Sequence, residues 1–160
     1  MNIILSIDPG SRVTGYGIIK SDGNKHTYIG SGCVRTTSEN FPMRLQQIFN
    51  GIKEVIGTYA PQESAIEDVF MHTNPRAALK LGQARGAAIS ALVAHDLQVA
   101  EYSARAVKQA VVGYGAATKN QVQDMVKSLL NVTGDIQEDA ADALAIAICH
   151  AHTKKLGALI

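Results

Sequence analysis

The sequence predicts an α/β protein built on a mixed five-stranded sheet flanked by helices. Two observations predict it. The first 36 residues hold three short, Gly-punctuated apolar segments separated by turn signals, and beyond them extended segments alternate with stretches of helical periodicity. The composition agrees: 160 residues, 46% hydrophobic and 18% charged, describe a chain that buries one core without disulfides and is expected to form one domain over 1–160.

Met1–Ile7 reads as a buried strand through Ile3, Ile4, Leu5 and Ile7, ended by the turn Asp8-Pro9-Gly10-Ser11. Val13–Lys20 is a second strand, and Asp22-Gly23 marks a hairpin into a third over His26–Thr36. Pro42 opens a helix with Leu45, Ile48, Phe49, Ile52, Val55, Ile56 and Tyr59 on one face; Pro61 stops it. Ser64–Phe70 returns as a strand made parallel by that helical crossover. Asn74-Pro75 caps a helix running to Asp96, rich in Ala and Gly, whose small residues suit close approach of the sheet or of a second helix. Gln98–Tyr102 is a short strand, Ser103 caps a helix to about Val112, and Thr118 caps the next. A last helix runs from about Gln137 to Lys155.

Several classes are excluded or disfavoured by composition. No apolar run approaches the roughly 18 residues that span a bilayer, so no membrane partner is expected. Met1–Leu5 runs straight into Ser6-Ile7-Asp8 without a signal-peptide layout, and Cys33 and Cys149 form no Cys-x-x-Cys pair. Both features point to a cytoplasmic, reducing environment with buried thiols. Fifteen basic and 14 acidic residues leave a net charge of +1, which argues against simple coating of nucleic acid. The total conceals sorting. Residues 1–75 carry net −1, residues 76–127 net +4 and residues 128–160 net −2.

The acidic residues are oddly placed. Asp8 follows an apolar strand, and Glu67 lies inside Ala65-Ile66-Glu67-Asp68-Val69-Phe70. Asp139 and Asp142 stand three apart on the last helix, on one face of an otherwise Ala- and Ile-rich segment where bare charge is costly. Taken singly, Asp8 also suits a strand-end turn, Glu67 an ion pair, and Asp139 the positive end of a helix dipole. Glu138 is i to i+4 with Asp142, so spacing leaves Glu138 and Asp139 as alternatives. Together, half-buried carboxylates require protons or cations. Hard oxygen donors suit Mg²⁺ or Mn²⁺, whereas zinc spacing of His and Cys is absent. Two such ions about 3.5–4 Å apart serve phosphodiester hydrolysis.

At this point the chain resembles a known family. Ile7-Asp8-Pro9-Gly10-Ser11-Arg12-Val13-Thr14-Gly15-Tyr16-Gly17 is similar to the opening of RuvC-type Holliday-junction resolvases. So are Ala65–Phe70, Leu79–Gly86, Val107–Gly113 and Asp139–Ala145, in the same order across essentially the whole chain. The resemblance implies a ribonuclease-H-like fold, a homodimer, and Mg²⁺-dependent paired nicking of four-way DNA junctions that leaves 5′-phosphate and 3′-hydroxyl ends. It also implies branch-migration partners of the RuvA/RuvB type. Carried over, it makes Asp8, Glu67, Asp139 and Asp142 the metal ligands, preferring Asp139 to Glu138, with Asp8 bridging two ions.

The resemblance also gives the basic residues roles. Lys108 and Lys119 match positions near the scissile strand, Lys119 with a catalytic part. Arg76, Lys80 and Arg85 on the Ala/Gly-rich helix are expected to track phosphates, with Lys80 and Arg85 alternatively serving the dimer contact. Phe70 matches an aromatic that stacks at the junction centre. Outside the resemblance, Lys is ordinarily a solvated surface residue and Phe a core one. His72, His150 and His152 lack partner spacing for a metal or base role. An actin-like ATP-using protein also opens on Asp-x-Gly, but it needs two such domains around its nucleotide. No Gly-x-x-x-x-Gly-Lys-Ser/Thr loop is present.

Overall fold

The computed structural model describes residues 2–68 and 74–158. Three antiparallel strands come first: β1 (Asn2–Asp8), β2 (Val13–Asp22) and β3 (Lys25–Arg35). Helix α1 (Phe41–Tyr59) crosses to β4 (Glu63–Glu67), and α2 (Pro75–Ala94) crosses to β5 (Val99–Tyr102). Three helices close the chain: α3 (Ala104–Val112), α4 (Lys119–Leu130) and α5 (Glu138–Ala158). The sheet order is β3-β2-β1-β4-β5, with β1 antiparallel to β2 and parallel to β4. The mixed five-stranded sheet is the one expected.

Strand periodicity decides which side chains share a face. Leu5, Ile7, Ile18 and Ile66 point toward α1 and α2, where Ile48, Ile52, Ala84, Ala88 and Leu92 complete one apolar layer. Ile4, Ile19 and Ala65 point to the opposite layer, built from α3, α4 and α5 through Val107, Val126, Leu144 and Ile148. By the same alternation Ser6 and Asp8 extend the Ile4 face, and Glu63 and Glu67 extend the Ala65 face. All four therefore address α5.

Helix α5 is buried nearly all round from Ala140 to Ala151 because the sheet lies on one side and α3 and α4 on the other. Its alanines permit that sandwiching. Buried Ser6 shares its hydroxyl proton between the carbonyls of Ala143 at 2.5 Å and Gly17 at 3.2 Å, tying β1 and β2 to α5. Gly15 and Gly17 face the same helix, and a Cβ at Gly17 would sit 2.7 Å from Leu144 Cδ2. The close approach sets where the start of α5 meets the sheet.

The boundaries shift by small amounts for local reasons. Helix α1 starts at Phe41, with the Asn40 side chain accepting from Met43 N–H, and α2 ends at Ala94 because Asp96 adopts a left-handed φ of 62°. Strand β4 spans Glu63–Glu67 rather than Ser64–Phe70. Phe70, at the end of the expected strand, lies outside the described residues.

Candidate metal centre

Asp8 sits at the last position of β1, next to the parallel strand β4 that ends at Glu67. Parallel neighbours bring these two C-terminal ends to the same edge, where the first turns of α5 cross above β2. The result is a cluster in which carboxylate oxygens of Asp8, Asp139 and Asp142 all lie within 4.8 Å of one another. Glu67 stands beside them. It lines, with Asp142, Lys108 and Lys119, a cavity of ≈ 240 Å³ walled by Val107 and Val122. Spacing alone left Glu138 and Asp139 as alternatives. In the folded chain Asp139 joins the cluster, while Glu138 turns outward to Lys119.

The electrostatics follow from delivering charge into an apolar layer. Burial, followed by the Glu67, Asp142 and Asp139 carboxylates, pushes Asp8 up to about 8, with Lys119 pulling weakly the other way. Glu67 is raised by burial and then by Asp142, against Lys108 and Lys119. Asp142 is raised by burial although Lys119 and Gln123 donate to it. Lys119 begins α4, whose capping box between Thr118 and Gln121 fixes that first turn. Its Nζ lies 2.5 Å from Glu138 Oε1 and 3.2 Å from Asp142 Oδ2. The ammonium is held well above its usual range, first by Glu138, against burial, and then by Asp142.

The donor set fits a hard divalent cation. Several oxygens converge and repel one another, and the neighbouring ammonium is already shared with Glu138. Asp8, Asp139 and Asp142 offer the converging oxygens, with Glu67 next to them.

The remaining sequence-predicted residues fall in different places. Arg76 is exposed at the start of α2, and Lys80 is exposed with its Nζ 5.7 Å above the Phe41 ring. Arg85 turns inward. Its Nε donates to the Glu67 carbonyl at 3.3 Å, and its guanidinium pairs with Glu101 and, at 3.6 Å, with Asp68, so it braces the end of β4. Sequence reasoning missed this bracing because the partners lie 16 to 18 residues away, on other elements. It also missed the Glu138–Lys119 pair, for which the only signal was an acid in the first turn of α5.

A mixed five-stranded sheet of this topology is the ribonuclease-H-like fold, and converging carboxylates at the end of its central strand with lysines alongside are consistent with a nuclease site. The profile of one family, described as Crossover junction endodeoxyribonuclease RuvC, matches residues 4–150. A crossover junction endodeoxyribonuclease RuvC of Psychromonas ingrahamii is 61% identical over 153 residues, 96% of this chain and 88% of the relative. That of Photobacterium profundum is 61% identical over 155 residues, 97% of this chain and 90% of the relative. The structure of Thermus thermophilus RuvC in complex with a Holliday junction substrate superposes with a TM-score of 0.92 at 31% identity. It covers 98% of this chain and 97% of that one. The chain belongs to the RuvC family of crossover junction endodeoxyribonucleases.

Proposed function

We infer that the chain resolves four-way DNA junctions in recombination and repair by paired, Mg²⁺-dependent nicks that leave 5′-phosphate and 3′-hydroxyl ends. The observation that carries the site is the meeting of Asp8, Asp139 and Asp142 oxygens within 4.8 Å beside Glu67. The substrate class is supported by family membership and by the likeness to a relative whose structure holds a Holliday junction. Asp8, Glu67, Asp139 and Asp142 would hold the ions, two per site, and Mn²⁺ would substitute for Mg²⁺. When bound, such ions supply an activated water and a counter-charge for the departing oxygen.

The chain's own groups do the rest. Partial burial of Asp8 reduces solvent screening at the site, so charges there act more strongly than in open water. Lys119 moves from Glu138 and Asp142 onto the scissile phosphate as its charge develops, and Lys108, in the same cavity, holds the neighbouring phosphate. Arg76 and Lys80 track the backbone further out, and Phe70 stacks at the junction centre. One nuclease domain suffices, because a homodimer places a second site on the like strand. A branch-migrating motor of the RuvA/RuvB type is the corresponding partner and the cytoplasm the corresponding compartment. Among the described residues no helix is long and apolar enough to cross a membrane.

The test is a labelled four-way junction, linear duplex, structured RNA and ATP, each incubated with and without Mg²⁺. Junction binding without metal and paired nicks only with Mg²⁺ are expected, and Asp8→Asn should bind without cutting. Equal cutting of linear duplex, or undiminished cutting by Asp8→Asn, would falsify the reading.

A further inference from the structure

Twelve or so ångströms from the carboxylate cluster, the same two elements meet again through polar groups. From Glu67 back to Glu63 is four strand residues, about 13 Å. From Asp142 on to His150 is eight helix residues, about 12 Å. Because α5 runs antiparallel to β4, those equal lengths bring His150 to Glu63, as Asp142 is brought to Glu67. His150 is 9% exposed, and both of its ring nitrogens are engaged. Nε2 lies 3.0 Å from Glu63 Oε1 and Nδ1 lies 2.7 Å from the Tyr102 hydroxyl. A carboxylate only accepts, so Nε2 carries a proton and donates to Glu63, while Nδ1 and the Tyr102 hydroxyl share the second hydrogen bond. Lys154 Nζ reaches Glu63 Oε2 at 2.8 Å from the next turn of α5. Burial pushes the Glu63 carboxyl up, but hydrogen bonds from Lys154 and His150 outweigh it and hold the group below its usual range.

Tyr102 is the last residue of β5 and the register partner of Glu67, and its carbonyl accepts from Asp68 N–H at 2.7 Å. The chain Glu63–His150–Tyr102 therefore joins α5 to both β4 and β5, on the sheet face that also carries Glu67. The other side of α5 is pinned independently, by Ser6 and by the glycines of β2. Helix α5 thus holds Asp139 and Asp142 against β1 and β2; β4 hangs on β1 through their parallel ladder, and the polar link adds a direct side-chain tie from β4 and β5 to the same helix.

We propose that His150 is a positioning residue: clamped between Glu63 and Tyr102, it sets the placement of β4 against α5 and hence the approach of Glu67 to the Asp8–Asp139–Asp142 cluster. The inference rests on the reading of those carboxylates as the divalent-cation site. Glu67 is the one ligand of the four carried on β4, the strand that Glu63 ties to His150, so cation affinity should respond to the clamp. Binding of DNA by α2, α3 and α4 should not.

The experiment titrates Mg²⁺ into the full chain with two readouts, the cation-induced rise in melting temperature and junction nicking. His150→Leu, which keeps bulk and drops both hydrogen bonds, should raise the Mg²⁺ midpoint by about ten-fold or more in both, as small displacements of reacting groups do. Its metal-free junction Kd should stay at the wild-type value. His150→Gln, which keeps an N–H for Glu63, should recover most of the loss, and Tyr102→Phe should move the midpoint in the same direction by less. A His150→Leu protein that melts earlier yet keeps the wild-type midpoint has lost only stability, and the inference falls. If His150→Leu does not fold, wild-type midpoints in both milder variants overturn the inference equally. Absence of Mg²⁺-dependent nicking in the wild type would count against the proposed activity. The melting readout would still report whether the clamp governs cation binding.

Discussion

Asp8 ends β1 on the face that carries Ile4 and Ser6, so its carboxylate enters a layer otherwise lined by aliphatic groups. Burial, then Glu67, Asp142 and Asp139, raise it from 3.8 to about 8. In the cation-free protein the folded chain therefore keeps this proton over a range in which the unfolded chain has released it. The stability contributed is complete below the ordinary carboxylate value and drains away as pH rises toward 8, and the raised Glu67 and Asp142 act with the same sign. Glu63, held low, acts oppositely. Thermal melts without divalent cation should fall in midpoint between about pH 5 and 8, and Asp8→Asn should flatten most of that fall. A wild-type melting temperature that climbs across this range would contradict the assignment. Added Mg²⁺ should restore the wild type near pH 8 and do little for Asp8→Asn.

Helix α5 is positioned by what is missing from the strand beneath it. A Cβ at Gly15 would collide with the backbone carbonyl of Asp139, and one at Gly17 with the Leu144 side chain. Backbone cannot rotate aside as a side chain can, so the two substitutions should differ in kind. Gly17→Ala should cost about 1–3 kcal/mol in denaturant unfolding, the usual scale of overpacking, with nicking largely retained after correction for folded fraction. Gly15→Ala should also displace the first turn of α5 and its carboxylate, losing nicking and the cation-induced melting shift together. Equal retention of activity in the two variants would mean that α5 tolerates movement at Asp139. At the other end of the helix the His150 clamp plays the corresponding part for β4.

Charge is distributed on the scale of the whole molecule. The seven basic and three acidic residues between 76 and 127 give that stretch net +4, and they fall on α2, α3 and α4 and the segments between them, whereas the four clustered carboxylates lie at the ends of β1 and β4 and on α5. Cations at the carboxylate cluster would remove its repulsion for a phosphodiester and leave the basic helices to steer the junction. Junction binding should consequently weaken steeply with salt, through release of counterions from several phosphates. A proposed dimer makes a sharper prediction. Co-refolding wild type with excess Asp8→Asn should yield junctions nicked on one strand, read by labelling the opposed strands separately. Paired nicks at undiminished yield would show that the two cuts come from one site.

The order of elements, the mixed sheet and most caps were legible in the sequence, because periodicity of two or of three and four, Asn-Pro and Ser or Thr caps, and turn pairs are local properties of the chain. Asp8 and Asp142 stood out for the same local reason, a charge where neighbouring residues are apolar. Other choices were not local. Glu138 and Asp139 are adjacent and chemically alike, and only the docking of α5 against Gly15 aims one into the cluster and the other at Lys119. Arg85 reads as a surface cation until β4 and β5 supply Glu67, Asp68 and Glu101 around it. His150 reads as an unpartnered histidine until strands 48 and 87 residues away bring Tyr102 and Glu63 to its two nitrogens. Sequence by itself determined which elements form and which residues are unusual within them. Tertiary structure decided which unusual residues meet, because the partner of a buried charge is set by strand order and helix docking rather than by distance along the chain.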